Sequence, residues 1–156
     1  MNYRYADEND VDLILFFIKQ LAEYEKLSDE VVATPVLLKE WLFEKKIAEV
    51  IFAVEDNKEV GFALFFHNFS TFLGRGGIYL EDLFVLPEYR GKGYGKKLLK
   101  ALSRIACERE CGRVEWCCLD WNKPSIDFYE SLGAKPLEDW TIFRLTGDNL
   151  KKMAEI

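Results

Sequence analysis

The chain has 156 residues, nearly half of them hydrophobic, with 27 acidic against 21 basic side chains and a formal charge of −6. That length implies one domain with one good core, and the acidic balance argues against a nucleic-acid partner while suiting a cationic small ligand. No run is long and apolar enough to span a membrane, and the opening Met1 to Glu8 lacks a secretory pattern, so a cytoplasmic location is expected.

In chain order, a first strand is predicted near Tyr3 to Tyr5. A helix follows from about Asp10 to Tyr24, with Val11, Ile14, Leu15, Ile18, Leu21 and Ala22 at helical spacing. Thr34-Pro35 reads as a cap followed by a first-turn proline, opening a short helix. Strands at Ala48 to Glu55 and Val60 to Phe69 flank Asp56-Asn57-Lys58-Glu59, a hairpin turn. Another strand runs from Ile78 to Leu86 and stops at Pro87, because proline cannot donate to a ladder. Leu98, Leu99, Leu102, Ile105 and Ala106 then mark an amphipathic helix. A strand from Val114 to Leu119 leads to Asn122, a good N-cap, and to Pro124 in the first turn of a helix that closes at Gly133. A last strand at Thr141 to Leu145 and a helical tail from about Asp148 complete an α/β chain without linker or repeat.

Cys107, Cys111, Cys117 and Cys118 form no C-x-x-C pair, and His67 is the one histidine. No metal site is expected, and the thiols read as reduced and mostly buried. His67, inside an aromatic strand, reads as structural.

The most informative run is Leu80 to Ala106. Three glycines, Gly91, Gly93 and Gly95, stand between the strand and the helix. A glycine-rich turn opening a helix leaves backbone N–H groups converging on one spot, which attracts phosphate. The P-loop and the dinucleotide or kinase loops both demand glycine at Lys96, so neither fits. What fits is Arg90-Gly91-Lys92-Gly93-Tyr94-Gly95, the R/Q-x-x-G-x-G/A turn. With the Asn122 to Gly133 segment and its Tyr129, it resembles the GNAT superfamily of N-acetyltransferases. Leu21 to Asp29, Tyr79 to Asp82, Glu88 to Gly91 and Leu119 to Asn122 extend the likeness to the diamine (spermidine/spermine) acetyltransferase family over nearly the whole chain. Ser70 and Thr71 stand where polyamine enzymes carry an acid, which looks like the thialysine-acetylating branch.

The resemblance implies a single domain over residues 1–156 with a mixed, mostly antiparallel sheet whose middle strands splay to admit acetyl-CoA. No metal or membrane partner is implied, and a homodimer is. Arg90, Gly91, Lys92, Gly93, Tyr94, Gly95 and Lys96 would hold the pyrophosphate. Leu83, Phe84 and Val85 would bind the pantetheine arm, with a backbone N–H freed there by a bulge to polarise the thioester carbonyl. Asn122 and Ser125 would contact the arm from the other side. Tyr129 would protonate the leaving sulfur, and Glu81 would take the proton of the amine, directly or through water. Tyr24, Glu25, Glu81 and Glu138 would bind the amine.

Strand alternation puts Tyr79, Glu81, Leu83 and Val85 on one face and Leu80, Asp82 and Phe84 on the other, so only one of the two acids serves a given side. Asp82 is left between a site role and a structural ion pair. The expected activity is acetyl transfer from acetyl-CoA to a primary amine of a thialysine-like or short diamine substrate. A polyamine, a protein lysine, and a purely acetyl-CoA-binding module are the open alternatives.

Overall fold

The computed structural model describes residues 2 to 155. The chain divides into two compact units between Cys117 and Cys118. The first holds a five-stranded sheet in the order β1-β2-β3-β4-β5. Its strands are β1 (Asn2–Tyr5), β2 (Glu49–Glu55), β3 (Lys58–Ser70), β4 (Arg75–Val85) and β5 (Val114–Trp116). β1 to β4 pair antiparallel, and β5 runs parallel to β4 after a helical crossover, as a parallel pair requires. Asp56 and Asn57, at φ 49° and 61°, make the two-residue β2–β3 loop. Positive φ at both positions suits a right-twisted hairpin, and Asp and Asn tolerate it.

Helix α1 (Val11–Tyr24) follows a 3-10 turn capped reciprocally by Asp7 and Asp10. Its apolar stripe fully buries Ile14 and Phe17. The Phe17 ring lies 5.2 Å from that of Phe62 on β3 and 5.8 Å from that of Phe52 on β2. Val50, Phe84 and Leu86 complete this core, and truncating Phe17 to alanine would cost about 3–5 kcal/mol. Thr34 accepts from the Leu37 N–H at 3.2 Å and caps α2 (Pro35–Leu38), which continues as a π-helical turn over Lys39–Glu44. Helix α3 (Tyr94–Glu108) buries Leu98, Leu102 and Ile105.

β4 departs from simple alternation. Leu64 opposes Asp82 while Phe65 opposes Leu80, so Glu81 is an extra residue, a β-bulge. Directly opposed residues share a face. Ile78 and Leu80 therefore lie on the side of Phe65 and His67, whereas Tyr79, Asp82 and Phe84 lie on the side of Phe66, Leu64 and Phe62. The expectation that Leu80, Asp82 and Phe84 share one face is overturned, because the inserted residue shifts the strand by one. The bulge expected near Leu83 to Val85 sits instead at Glu81. Beyond Leu80 the β4–β5 pairing stops, since Leu80↔Trp116 is its last pair. Among the described residues, 81–85 have no strand partner on that edge.

The second unit contains α4 (Lys123–Ser131) and α5 (Gly147–Met153). The expected strand at Thr141 to Leu145 does not form. Its residues suit a strand, but the described residues of the unit hold no strand to pair with, and Phe143 is 90% exposed. The predicted strand through Leu119 is likewise shortened and ends at Trp116. The cysteines are not mostly buried: Cys107 and Cys117 are exposed, Cys111 and Cys118 intermediate. His67 is exposed on β3, its Nε2 3.3 Å from the Arg109 guanidinium, which also pairs with Glu49. No helix of the described residues is long and apolar enough to cross a membrane.

Candidate active site

The glycine turn is built as its composition demands. Pro87–Tyr89 form one 3-10 turn after β4. Gly91 and Gly93 then adopt φ of 77° and 83°, where a side chain is strained, and Gly93 is the N-cap of α3. A β-carbon built on either would meet no protein atom within 4 Å. Open space therefore lies over both glycines at a helix N-terminus with no side-chain cap, and a phosphate group fits that cradle. Tyr94 is buried, and its bond to Glu55 pushes its hydroxyl up to about 12. The Lys92 ammonium, 3.9 Å from Glu55 and 4.9 Å from the Tyr89 ring centre, reaches toward the end of β2. Lys96 is exposed in the first turn of α3, and Gly95 is partly buried there.

Upstream of the turn, β4 supplies the acids. Glu81 is exposed at the bulge, and Asp82 is partly buried on the α1 face. Burial, then the charges of Glu81 and Glu25, push the Asp82 carboxyl up to about 7. Burial and Glu81 also raise Glu25, the C-cap residue of α1. Three carboxylates thus repel one another at a helix C-terminus, which itself carries partial negative charge. No salt bridge to any of the three forms among the described residues, so Asp82 does not have the structural ion pair that was its other reading. Adjacent acids in Glu81-Asp82 signalled the cluster in the sequence; the bulge that turns Asp82 toward α1 left no such signal.

Aromatic side chains wall this cluster. Tyr24 ends α1, 6.5 Å ring to ring from Phe84. Arg90, expected at the pyrophosphate, lays its guanidinium 5.0 Å from both ring centres. Tyr79 meets Cys117 across β4 and β5 at 2.9 Å, a contact missed in the sequence. Burial and that bond raise the Tyr79 hydroxyl. Leu83 and Val85 are partly buried on the half of β4 whose edge is free of strand partners, and Phe84 is buried in the core.

Ser70 and Thr71 lie at the other end of the sheet. Ser70 is buried, and its hydroxyl accepts from Leu73 N at 3.1 Å, closing the β3–β4 turn. Glu81 lies six positions beyond Arg75, the start of β4, roughly 20 Å of strand.

The second unit carries the remaining candidates. The Asn122 side chain accepts from Ser125 N at 3.4 Å and caps α4, and Pro124 occupies its first turn. Tyr129 is partly buried on α4, its ring 5.5 Å from that of Phe128. Gly133, at φ 88°, ends the helix, and Ala134 N donates to Tyr129 O at 3.2 Å. Glu138 is exposed in a turn.

Open space over two glycines at a helix N-terminus, a strand half with no partner on one edge and a cluster of carboxylates thus follow one another along β4 and into α3. The chain belongs to the GNAT family: the model described as "Acetyltransferase (GNAT) family" matches residues 15–134. It is an N-acetyltransferase. It is 39% identical to the thialysine N-epsilon-acetyltransferase of Bos taurus, over 97% of this chain and 95% of that one. It is 46% identical to an L-ornithine N5-acetyltransferase of Arabidopsis thaliana, over 62% of this chain and 42% of that one. Among solved structures, an integron cassette protein from the mobile metagenome of V. cholerae superposes with a TM-score of 0.82 at 32% identity, covering 99% of this chain and 98% of that one.

Proposed function

We propose that the protein acetylates the primary amine of a thialysine-like or short diamine substrate, ornithine included, with acetyl-CoA as donor and both units acting as one catalytic domain. The observation that carries this reading is the Glu25-Glu81-Asp82 cluster at the C-terminal end of α1, beside Tyr24 and upstream of the glycine turn. Three mutually repelling carboxylates bind one ammonium group strongly. The relatives named for thialysine and ornithine acetylation support an amino-acid-like amine. Acetyl-CoA fits the open cradle over Gly91 and Gly93 and supplies the activated acetyl group when bound.

The chain's own residues do the rest. Backbone N–H groups of Gly91 to Lys96 hold the pyrophosphate, and the free edge of β4 at Leu83 to Val85 takes the pantetheine arm. Glu81 accepts the ammonium proton, directly or through water, because an alkylamine with a pKa of about 10.4 is not nucleophilic while protonated. Asp82, ionising near neutrality, adds the charge that draws the ammonium in. Tyr129 gives its proton to the departing sulfur, and Asn122 and Ser125 contact the arm. Tyr24 and Glu25 bind the amine, with Glu138 as an outer acid. A cytoplasmic homodimer is the assembly that the family likeness supports.

Long polyamines fit less well. An ammonium held at the Ser70-Thr71 turn would lie roughly 20 Å of strand from Glu81, and no acid stands at those two positions. Turnover with thialysine, ornithine, putrescine, spermidine and spermine at saturating acetyl-CoA tests this. The expected order has thialysine or ornithine first and spermine last in kcat/KM, and a spermine value above thialysine's refutes the substrate assignment.

A further inference from the structure

Arg90 stands between the two halves of this site. Its Nε donates to the carbonyl of Val85, the last residue of β4, at 2.9 Å. Its guanidinium carbon lies 5.0 Å from the Tyr24 ring centre and 5.0 Å from that of Phe84. Tyr24 is the last residue of α1, followed by Glu25. Phe84 opposes Phe62 in the core. Arg90 itself precedes Gly91, where the left-handed turn begins. One side chain thus ties the end of α1 and the end of β4 to the first residue of the phosphate turn. A guanidinium can stack on aromatic faces while its edge donates a hydrogen bond; an ammonium cannot do both with the same geometry.

This arrangement has an energetic consequence. An anion seated in the turn fixes the torsions of Gly91 and Gly93, and with them the backbone from which Arg90 projects. Fixing Arg90 holds the Tyr24 ring, and Glu25 beside it, in one position. A ligand that orders this bridge spares the second ligand the same ordering cost. We propose that Arg90 is a positioning residue that couples occupancy of the glycine turn to the placement of Tyr24 and Glu25, so that acyl donor and amine bind with positive cooperativity. The inference rests on the function proposed above and adds to it a linkage between its two ligands. Linkage makes the effect reciprocal: coenzyme A tightens the amine by the factor by which the amine tightens coenzyme A.

Coenzyme A and thialysine do not react, so calorimetry can titrate each alone and in the presence of the other. In the parent protein each should tighten the other by about 5-fold or more, equally in both directions. Arg90→Gln should bring that factor to within about 2-fold of one. Arg90 is exposed, so the variant should fold, and its melting curve checks this. Tyr24→Phe keeps the ring and should keep the coupling; Tyr24→Leu should lose it, and adding Arg90→Gln should then remove nothing further. If Arg90→Gln weakens coenzyme A alone by tenfold and leaves the coupling intact, Arg90 is a phosphate contact and the inference is overturned. A parent protein with a coupling factor of one overturns it as well. Turnover of the parent on the amine panel reports separately on the proposed function, so a failed coupling and a failed substrate assignment are told apart.

Discussion

Asp82 is the residue whose environment departs furthest from what its type suggests. Its carboxyl ionises near 7 because burial and the neighbouring Glu81 and Glu25 disfavour a further negative charge. The unfolded chain loses that proton near pH 3.9. Between those values the folded state holds a proton that the unfolded state does not, so stability falls as pH rises through that window, by on the order of 4 kcal/mol once pH exceeds 7. Below pH 4 both states are protonated and nothing is lost. Asp82→Asn should therefore match the parent in urea melts at pH 4 and exceed it at pH 8. Identical slopes of stability against pH in the two proteins would refute the shift. The same titration should appear in catalysis, with kcat/KM for the amine rising through an apparent pKa near 7 that belongs to the carboxylate cluster as a whole. Tyr129 acts at this scale too. Tyr129→Phe keeps the ring and removes the proton donor, so kcat should fall roughly 10²-fold or more while coenzyme A affinity holds. Unchanged turnover with chemistry rate-limiting would remove Tyr129 from the mechanism.

The turn and the strand before it were legible to different degrees. Glycines at alternate positions, a proline at the strand end and a leucine-rich helix leave few local conformations open, and Gly91, Gly93 and α3 adopt the expected ones. Gly93→Val puts a branched side chain at φ 83° into space that the protein leaves empty. The fold should lose about 1–2 kcal/mol or a little more, the cost of a side chain in the left-handed region, while coenzyme A binding disappears. Binding by this variant at parental affinity would place the phosphate elsewhere. The bulge at Glu81 was not legible in position, because it is set by the register against Leu64 and Phe65, residues distant in sequence. Period-two counting along β4 alone put Asp82 on the face of Leu80, from which the bulge removes it. The segment at Thr141 to Leu145 failed for a related reason: strand composition does not supply a partner strand.

Across the whole molecule, charge and core are arranged for different tasks. The core that fixes α1 on the sheet is aromatic, with Phe17, Phe52 and Phe62 fully buried; helical spacing picked out Ile14 in the chain but not Phe17. The formal charge of −6 surrounds a cluster of acids that no salt bridge neutralises among the described residues. A cationic amine should therefore be drawn in by a long-range field as well as by local contacts. Raising salt from 0.05 to about 0.5 M shortens that field to a few ångströms, so KM for the amine should climb several-fold while kcat stays level. A KM indifferent to salt would confine recognition to short-range contacts. What composition could not show is which acids matter, since 27 are present and the backbone alone brings Glu25, Glu81 and Asp82 together.

The single extra residue in β4 gives that strand two reading frames. Side chains alternate on both sides of Glu81, but the alternation after it is shifted by one relative to the alternation before it. Pairing the same residues without the bulge would instead put Asp82 and Phe84 on the side of Leu80, and Leu83 and Val85 on the side of Tyr79. The charge presented at the end of α1 is therefore governed by the register of β4 on β3 as much as by residue identity. Two proteins with the same acids in the same order, one bulged at this position and one paired without a bulge, would offer different surfaces to the same amine.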